Sequence, residues 1–344
     1  MQSNRTLFFS LILIAATALP GNTGAEQNQP RVKTQLNDDY QLSGPYRCEN
    51  LSVFLIHGND KVSGKKFLSL AEALDKRLVT IHETGNVNRL TAQNHSAESY
   101  IFIQSGDIVK GGRQDRTLGQ DVLLPPKSGK IALDSFCVEQ GRWSQRGKET
   151  AATFSSSSKH LSSKELKLAA KRAKSQTEVW KAVAAEQERL SQTVGQSVRN
   201  DASATSLQLS LESNAIEEKS RKYQQMLLPI GQGEKDAVGF AYAIDGQFTT
   251  AEVYGSSALF QMLWPKLIEA ATCESIALYK PQPVAPPTDH AVIKTYILEA
   301  LSSPRIQEAS DKYTQRKTSD SKESHAFETK DEKDQLIHLN VIKK

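Results

Sequence analysis

Hydrophobic positions change their period about halfway along the chain. Between Arg47 and Glu139 they come in short runs: LSVFLIHG (51–58), RLVTIHETG (77–85), SYIFIQSGD (99–107), DVLLPP (121–126) and GKIALDSFCVE (129–139). Some runs are apolar throughout and others alternate with period two. Gly58, Gly85, Gly111-Gly112, Pro125-Pro126 and Gly129 separate them. That pattern predicts strands. One short helix is expected near 67–76, where Leu68, Ala71 and Leu74 recur at helical intervals.

Beyond the serine-rich loop at 153–163 the period lengthens. Leu166, Ala169, Ala173, Trp180, Val183, Leu190, Val194 and Val198 recur at three, four or seven residues. The spacing predicts one long amphipathic helix over 163–199, entered through a capping box of Ser162 and Glu165. A second helix is expected over 213–228, ending at Pro229. Alternating runs on either side of Asp245-Gly246 predict a hairpin. The next stretch, 256–275, reads as a helix that Pro265 would kink or restart. A short helix is expected over 289–302. The charged segment after it is expected to be largely mobile over 305–335, and its last run, LIHLNVIKK (336–344), alternates like an edge strand. The fold class is therefore α+β: a strand-rich N-terminal half, a long central amphipathic helix, then a hairpin and a helix.

Composition fits a folded chain and adds an address. The 344 residues are 38% hydrophobic and 24% charged, outside the disordered range. The start, MQSNRTLFFSLILIAATALPGNTGA, has one basic residue, a short apolar run and small residues before Ala25. It reads as a signal peptide cut after residue 25, which implies an exported protein, periplasmic or secreted. No membrane span is expected after cleavage, because no later run is long and apolar enough. Removing 1–25 removes Arg5 and no acid, so the formal charge falls from +4 to +3. That charge is too small to suggest nucleic acid. The expected layout is a leader (1–25), a polar arm (26–44), one domain (45–280), a proline-rich linker (281–288) and a short helix with a charged tail (289–344). Cys48, Cys137 and Cys273 allow at most one disulfide, or three buried thiols.

Familiar catalytic motifs are missing. GNDKVSGKKF (58–67) has five residues between its glycines and Lys66 in place of Ser or Thr, so it is not a phosphate loop. There is no GxGxxG and no GxSxG, and no cofactor is expected. His57, His82 and His95 lack metal-ligand spacing and read as packing residues, with no metal site. Two blocks do concentrate site chemistry. GGRQDR supplies Gly111, Gly112, Arg113, Gln114, Asp115 and Arg116. CVEQGRW supplies Glu139, Arg142 and Trp143. Glycine N–H groups can cradle an anion, arginine forks suit phosphate, and a Trp face stacks. On the other reading, the glycines make a turn, the arginines pair with Asp115 and Glu139, and Trp143 fills the core.

The order of these blocks, with ETGNVNRLTAQN before them and AVGFAYAIDGQFTTAEVYGSSALFQMLWPKLIEAA after them, resembles the ARG and rhodanese-phosphatase-superfamily-associated protein domain over about residues 45–280. Gly111, Gly112, Gln114, Arg116, Cys137, Glu139, Arg142 and Trp143 match the family, which tends to have Asn at the position of Asp115. The resemblance implies a setting near ADP-ribosylglycohydrolases and rhodanese-phosphatases, and through it a nucleotide-derived ligand. It supplies no catalytic residues. Two functional readings follow. In one, an exported domain binds a small phosphorylated, ADP-ribose-like ligand through Arg113, Arg116, Glu139 and Trp143. An enzymatic version would use Glu139 or Asp115 as a general base, without a positioned partner. In the other, a non-enzymatic interaction module meets a protein partner through helix 163–199 and the C-terminal tail.

Overall fold

The computed structural model describes residues 32–281, 286 and 288–344, with 157–160 described through the backbone alone. The expected signal peptide, the first part of the polar arm and most of the proline-rich linker lie outside the described residues.

The first part of the chain is almost all strand: β1 (Thr34–Gln35), β2 (Tyr40–Cys48), β3 (Leu51–Gly58) and β4 (Lys66–Ser69), then helix α1 (Leu70–Asp75). There follow β5 (Val79–Asn86), β6 (Arg89–Asn94), β7 (Ser99–Ile103), β8 (Asp107–Gly111), β9 (Arg116–Leu118), β10 (Val122–Leu124), β11 (Ile131–Cys137) and β12 (Phe154–Leu161). Helices α2 (Lys164–Lys171), α3 (Gln176–Val194), α4 (Leu207–Leu211) and α5 (Asn214–Gly231) come next. The chain closes with β13 (Ala237–Ile244), β14 (Gln247–Tyr254), α6 (Ser257–Ala277), α7 (His290–Ser302), β15 (Ile306–Gln307), β16 (Thr314–Asp320), β17 (Ser324–Asp331) and β18 (Leu336–Lys343). The fold is α+β.

A nine-stranded antiparallel sheet, β1-β2-β3-β13-β14-β18-β17-β16-β15, organises the molecule. Its strands alternate between two cores, because successive side chains leave opposite faces. Leu51, Val53 and Leu55 of β3 join α3, α5 and α6 on one side. Phe54 and Ile56 join Ile293, Ile297 and Ala300 of α7 on the other. A six-stranded sheet, β12-β8-β9-β11-β6-β5, and a three-stranded one, β10-β7-β4, enclose a third core with α1. The hairpin turn between β13 and β14 is Asp245-Gly246, both at positive φ, as a two-residue turn of the right twist requires.

Four expectations change. The long central helix is two helices, α2 and α3. The chain breaks at 172–175, where Lys174 takes φ +49° and Ser175 recaps the chain by accepting from the Glu178 N–H. Leu166, Ala169, Val183, Leu190 and Val198 are buried as the periodicity predicts, but Ala173 is exposed and Val179 takes the core position beside Trp180. The capping box does not form. Ser163, the residue before α2, gives its hydroxyl to Glu186 (2.6 Å), and the Glu274 carboxylate accepts the Lys164 N–H (3.1 Å). The prolines are tolerated. α5 runs two residues past Pro229, and α6 continues through Pro265. Finally, the charged tail is sheet. β18 pairs with β14 and β17 and is an interior strand, so its exposed-looking alternation faces two cores. All three cysteines are buried free thiols.

Candidate functional site

GGRQDR is the connection of the β8–β9 hairpin, in which Val109 opposes Arg116. Gly112 has φ +55°, and a Cβ there would come within 2.3 Å of the Phe154 ring on β12. Glycine is therefore required by packing as well as by backbone conformation. Four of the loop's N–H groups are already taken. Gly111 donates to Asp115 (3.0 Å), Arg113 to Glu83 (3.4 Å) and Asp115 to Glu139 (3.0 Å), while Gly112 donates to the Thr153 carbonyl (3.3 Å). The concavity that would cradle an anion holds the protein's own carboxylates.

Those carboxylates are matched by arginines. Arg142 grips Glu139 with two bonds of 2.6 Å. Arg146 grips Asp115 with bonds of 2.9 and 3.0 Å and also reaches Glu149 (2.9 Å). Ser206 donates a further bond to Asp115 (2.8 Å). Asp115 and Glu139 are fully buried. Burial pushes the Glu139 carboxyl up, but Arg142 outweighs it and holds the group below its ordinary value. Arg116 is also fully buried, donating to the Gln114 carbonyl (3.0 Å) and lying 3.4 Å from Glu83. Trp143 is 41% exposed and carries the guanidiniums of Arg113 and Arg116 at 5.3 and 5.6 Å from its ring centre. The structure thus brings all nine expected residues together, but as an internally paired network. Glu83, Arg146 and Ser206 complete it, and no local motif marks them in the sequence.

A second buried network was not visible in the sequence, because it lies on the supposed tail. His338 of β18 sits between Asp121 (Nδ1 to Oδ2, 2.8 Å) and Glu252 (Nε2 to Oε2, 2.6 Å). Glu252 also pairs with Lys167 (2.7 Å), and Lys266 pairs with Asp107 (2.5 Å). Burial disfavours charge on His338, but Asp121 and Glu252 raise its pKa above the ordinary histidine value. Burial also opposes ionisation of Glu252, which Lys167 and His338 nevertheless bring down to about 2. This seam joins β18, β14, α2 and the loop before β10.

The three histidines of the strand-rich half do not meet as one cluster. His95 Nε2 lies 2.9 Å from Thr80 Oγ1. Burial lowers the pKa of His82, and its Nε2 has no partner among the described residues. His57 lies in a relay: Nε2 is 2.7 Å from Ser43 Oγ and Nδ1 is 3.0 Å from Asp236 Oδ1. These are the contacts of a Ser-His-Asp triad, but Ser43 is fully buried, so no substrate carbonyl can reach its hydroxyl in this conformation.

A cleft of about 260 Å³ opens between the β5–β6 turn, β11 and the end of α2. Asn86, Asn88, Arg89, Gln120, Asp134 and Lys174 supply its polar wall, and Phe136 an apolar one. Arg89 and Asp134 face each other across β6 and β11. The side chains of Asn88, Arg89, Gln120 and Asp134 make no hydrogen bond or ion pair among the described residues. The Lys171 stem also lines the cleft. Its Nζ is buried 4.3 Å from the Phe327 ring centre, without a hydrogen-bond partner among the described residues, and burial lowers its pKa.

No curated protein and no solved structure gives a significant match to the chain. A family comparison matches residues 39–342, from the first long strand to the end of β18. That span includes the C-terminal strands left out of the sequence resemblance. The chain belongs to the ARG and Rhodanese-Phosphatase-superfamily-associated Protein domain family.

Proposed function

We propose that this is an exported binding domain for a small phosphorylated, hydroxyl-bearing ligand, of nucleotide-derived (ADP-ribose-like) chemistry, and that the ligand occupies the cleft between the β5–β6 turn, β11 and α2. The observation that carries the reading is the set of unengaged polar groups around that cleft. Arg89 offers an unengaged cation for a phosphate, Asn88 and Gln120 offer amides, Asp134 offers an acceptor for sugar hydroxyls, and Phe136 offers an apolar wall; Lys174 adds a second cation, already 3.9 Å from Glu308 on the same wall. The volume, about 260 Å³, suits a ribose phosphate portion better than a whole dinucleotide. The family's association with ARG and rhodanese-phosphatase proteins agrees with such a ligand, and the leader-like N-terminus agrees with export. A protein partner docking on 163–199 has less support, because the apolar faces of α2 and α3 are buried in the core.

A thermal-shift screen tests the proposal. Ribose 5-phosphate, AMP, ADP-ribose, NAD and inorganic phosphate would each be added at millimolar concentration to the chain and to Arg89→Ala. A ligand at 100 times its Kd stabilises by about 2.7 kcal/mol. The expected result is a shift with the ribose phosphates that Arg89→Ala loses. No shift with any compound, or one that survives in Arg89→Ala, overturns the assignment to this cleft.

A further inference from the structure

We propose a divalent transition-metal site, independent of that cleft, formed by His57, Glu234 and Asp236 at the junction of β3 and β13. The register of the main sheet creates it: His57, next to last in β3, is the partner of Ala237, the first residue of β13. The turn 234–236 just before β13 is thereby delivered to the imidazole. One ligand atom from each of the three side chains lies within 4.8 Å of the other two.

The spacing suits coordination. Metal bonds to imidazole and carboxylate run at about 2.0–2.2 Å, so two ligands at right angles stand about 3.0 Å apart. His57 Nδ1 and Asp236 Oδ1 are 3.0 Å apart. The backbone of the turn is fixed at each carbonyl. Glu234 accepts from the Ala237 N–H (3.0 Å) and from Gln261 (3.1 Å), Lys235 from the Ser257 hydroxyl (2.7 Å), and Asp236 from the Gly58 N–H (2.9 Å). Ser43 Oγ, which also receives the Tyr46 hydroxyl (3.0 Å), holds the far ring nitrogen, as partners of metal-bound histidines do. With a metal on Nδ1, the ring keeps its single proton on Nε2, and Ser43 turns from donor to acceptor. The site is reachable: Asp236 is 51% exposed, and it lines an open cleft of about 220 Å³ together with His57, Asp38 and Asp39. A nitrogen ligand beside carboxylates selects first-row transition ions over magnesium or calcium. The cation now at the carboxylate is Lys33, 2.5 Å from Asp236 Oδ2, and a metal displaces it.

Calorimetric titration of the EDTA-stripped, dialysed full chain with ZnCl2, MnCl2, CoCl2, MgCl2 and CaCl2 tests the site. One equivalent of a transition ion should bind, with visible cobalt bands, and magnesium and calcium should bind far more weakly. Asp236→Asn and Glu234→Gln, both at solvent-reachable positions of a surface turn, should each weaken binding more than tenfold, and Ser43→Ala about tenfold. Lys33→Met should tighten it by removing the competing ammonium. Absence of transition-ion binding overturns the proposal. So does binding unchanged in both carboxamide variants, equal affinity for calcium, or weaker binding in Lys33→Met.

Discussion

Replacing Arg146 by methionine tests whether the arginine network is architecture. Methionine keeps much of the stem and removes the guanidinium. Asp115 then loses both bonds of its fork, 2.9 and 3.0 Å, while remaining fully buried. It keeps the Gly111 N–H (3.0 Å), the Ser206 hydroxyl (2.8 Å) and a more distant Arg142 at 3.7 Å. Breaking a buried pair from one side typically costs about 3–5 kcal/mol. For a chain of this size that lowers Tm by roughly 4–7 °C. Asp115→Asn should cost less, because Arg146 still reaches Glu149 (2.9 Å) and Glu139 (3.4 Å). The double variant removes both charges and should be more stable than the sum of the single losses requires, by at least about 2 kcal/mol. Urea unfolding of the four proteins measures the cycle, repeated in 0.5 M NaCl. Arg146 is 8% exposed, so salt should change little. A near-neutral Arg146→Met, an additive cycle, or a penalty that salt abolishes would refute the buried-pair reasoning.

Three further outcomes follow from the same geometry. Gly112→Ala should destabilise by about 2–4 kcal/mol, from left-handed backbone and overlap with the Phe154 ring. Gly147→Ala, at φ +53° with open space around it, should lose only the backbone part, and equal losses would disprove the ring contact. Glu186 is fully buried, and burial lifts its carboxyl to about 7 from the ordinary 4.5. Between those values the folded chain holds a proton that the unfolded chain has released, so its contribution to stability falls as pH rises from about 4.5 to about 7. Glu186→Gln should therefore be more stable than the parent at pH 8 by roughly 2–3 kcal/mol and equal to it near pH 4.5; no gain at pH 8 in denaturant titrations contradicts the shift. Burial raises the thiols of Cys48 and Cys137 to about 11, and that of Cys273 well above its usual value. All three should stay unreactive to a thiol reagent at pH 8 until denaturant is added, and fast labelling of the native chain would contradict their burial.

The strands were legible because Leu51–Gly58 and Val79–Asn86 carry their period without help from distant residues. The Asp245-Gly246 hairpin was legible because a two-residue turn needs that chemistry. The break between α2 and α3 was hidden. Leu166 and Val183 stay in phase with one helix, and the recapping at Ser175 depends on one serine among many. The C-terminal strands were hidden for a different reason. TQRKTSD and SHAFETKD are polar on paper, yet Thr314 and Asp331 are fully buried against partners far away in sequence. Leu123 donates to Thr314 (3.0 Å), and Lys65 pairs with Asp331 (3.1 Å). Polarity at such positions reports pairing as much as exposure, and single-sequence pattern cannot tell the two apart.

The same distinction separates the loudest motif from the better candidate site. GGRQDR and CVEQGRW stand out because glycines, arginines and acids are crowded together, and crowding is what an internally neutral cluster also produces. Arg142 on Glu139 and Arg146 on Asp115 leave those carboxylates no capacity for a ligand. Arg89, Asn88, Gln120 and Asp134 are scattered over two hairpins and a loop, and none is notable in its own segment. They matter because the pairing of β6 with β11 sets Arg89 opposite Asp134, and neither side chain has a partner among the described residues. Unspent hydrogen-bonding capacity around a cavity is a property of the fold. A sequence can name the residue types a site needs, but only the tertiary structure shows which of them are still free to bind.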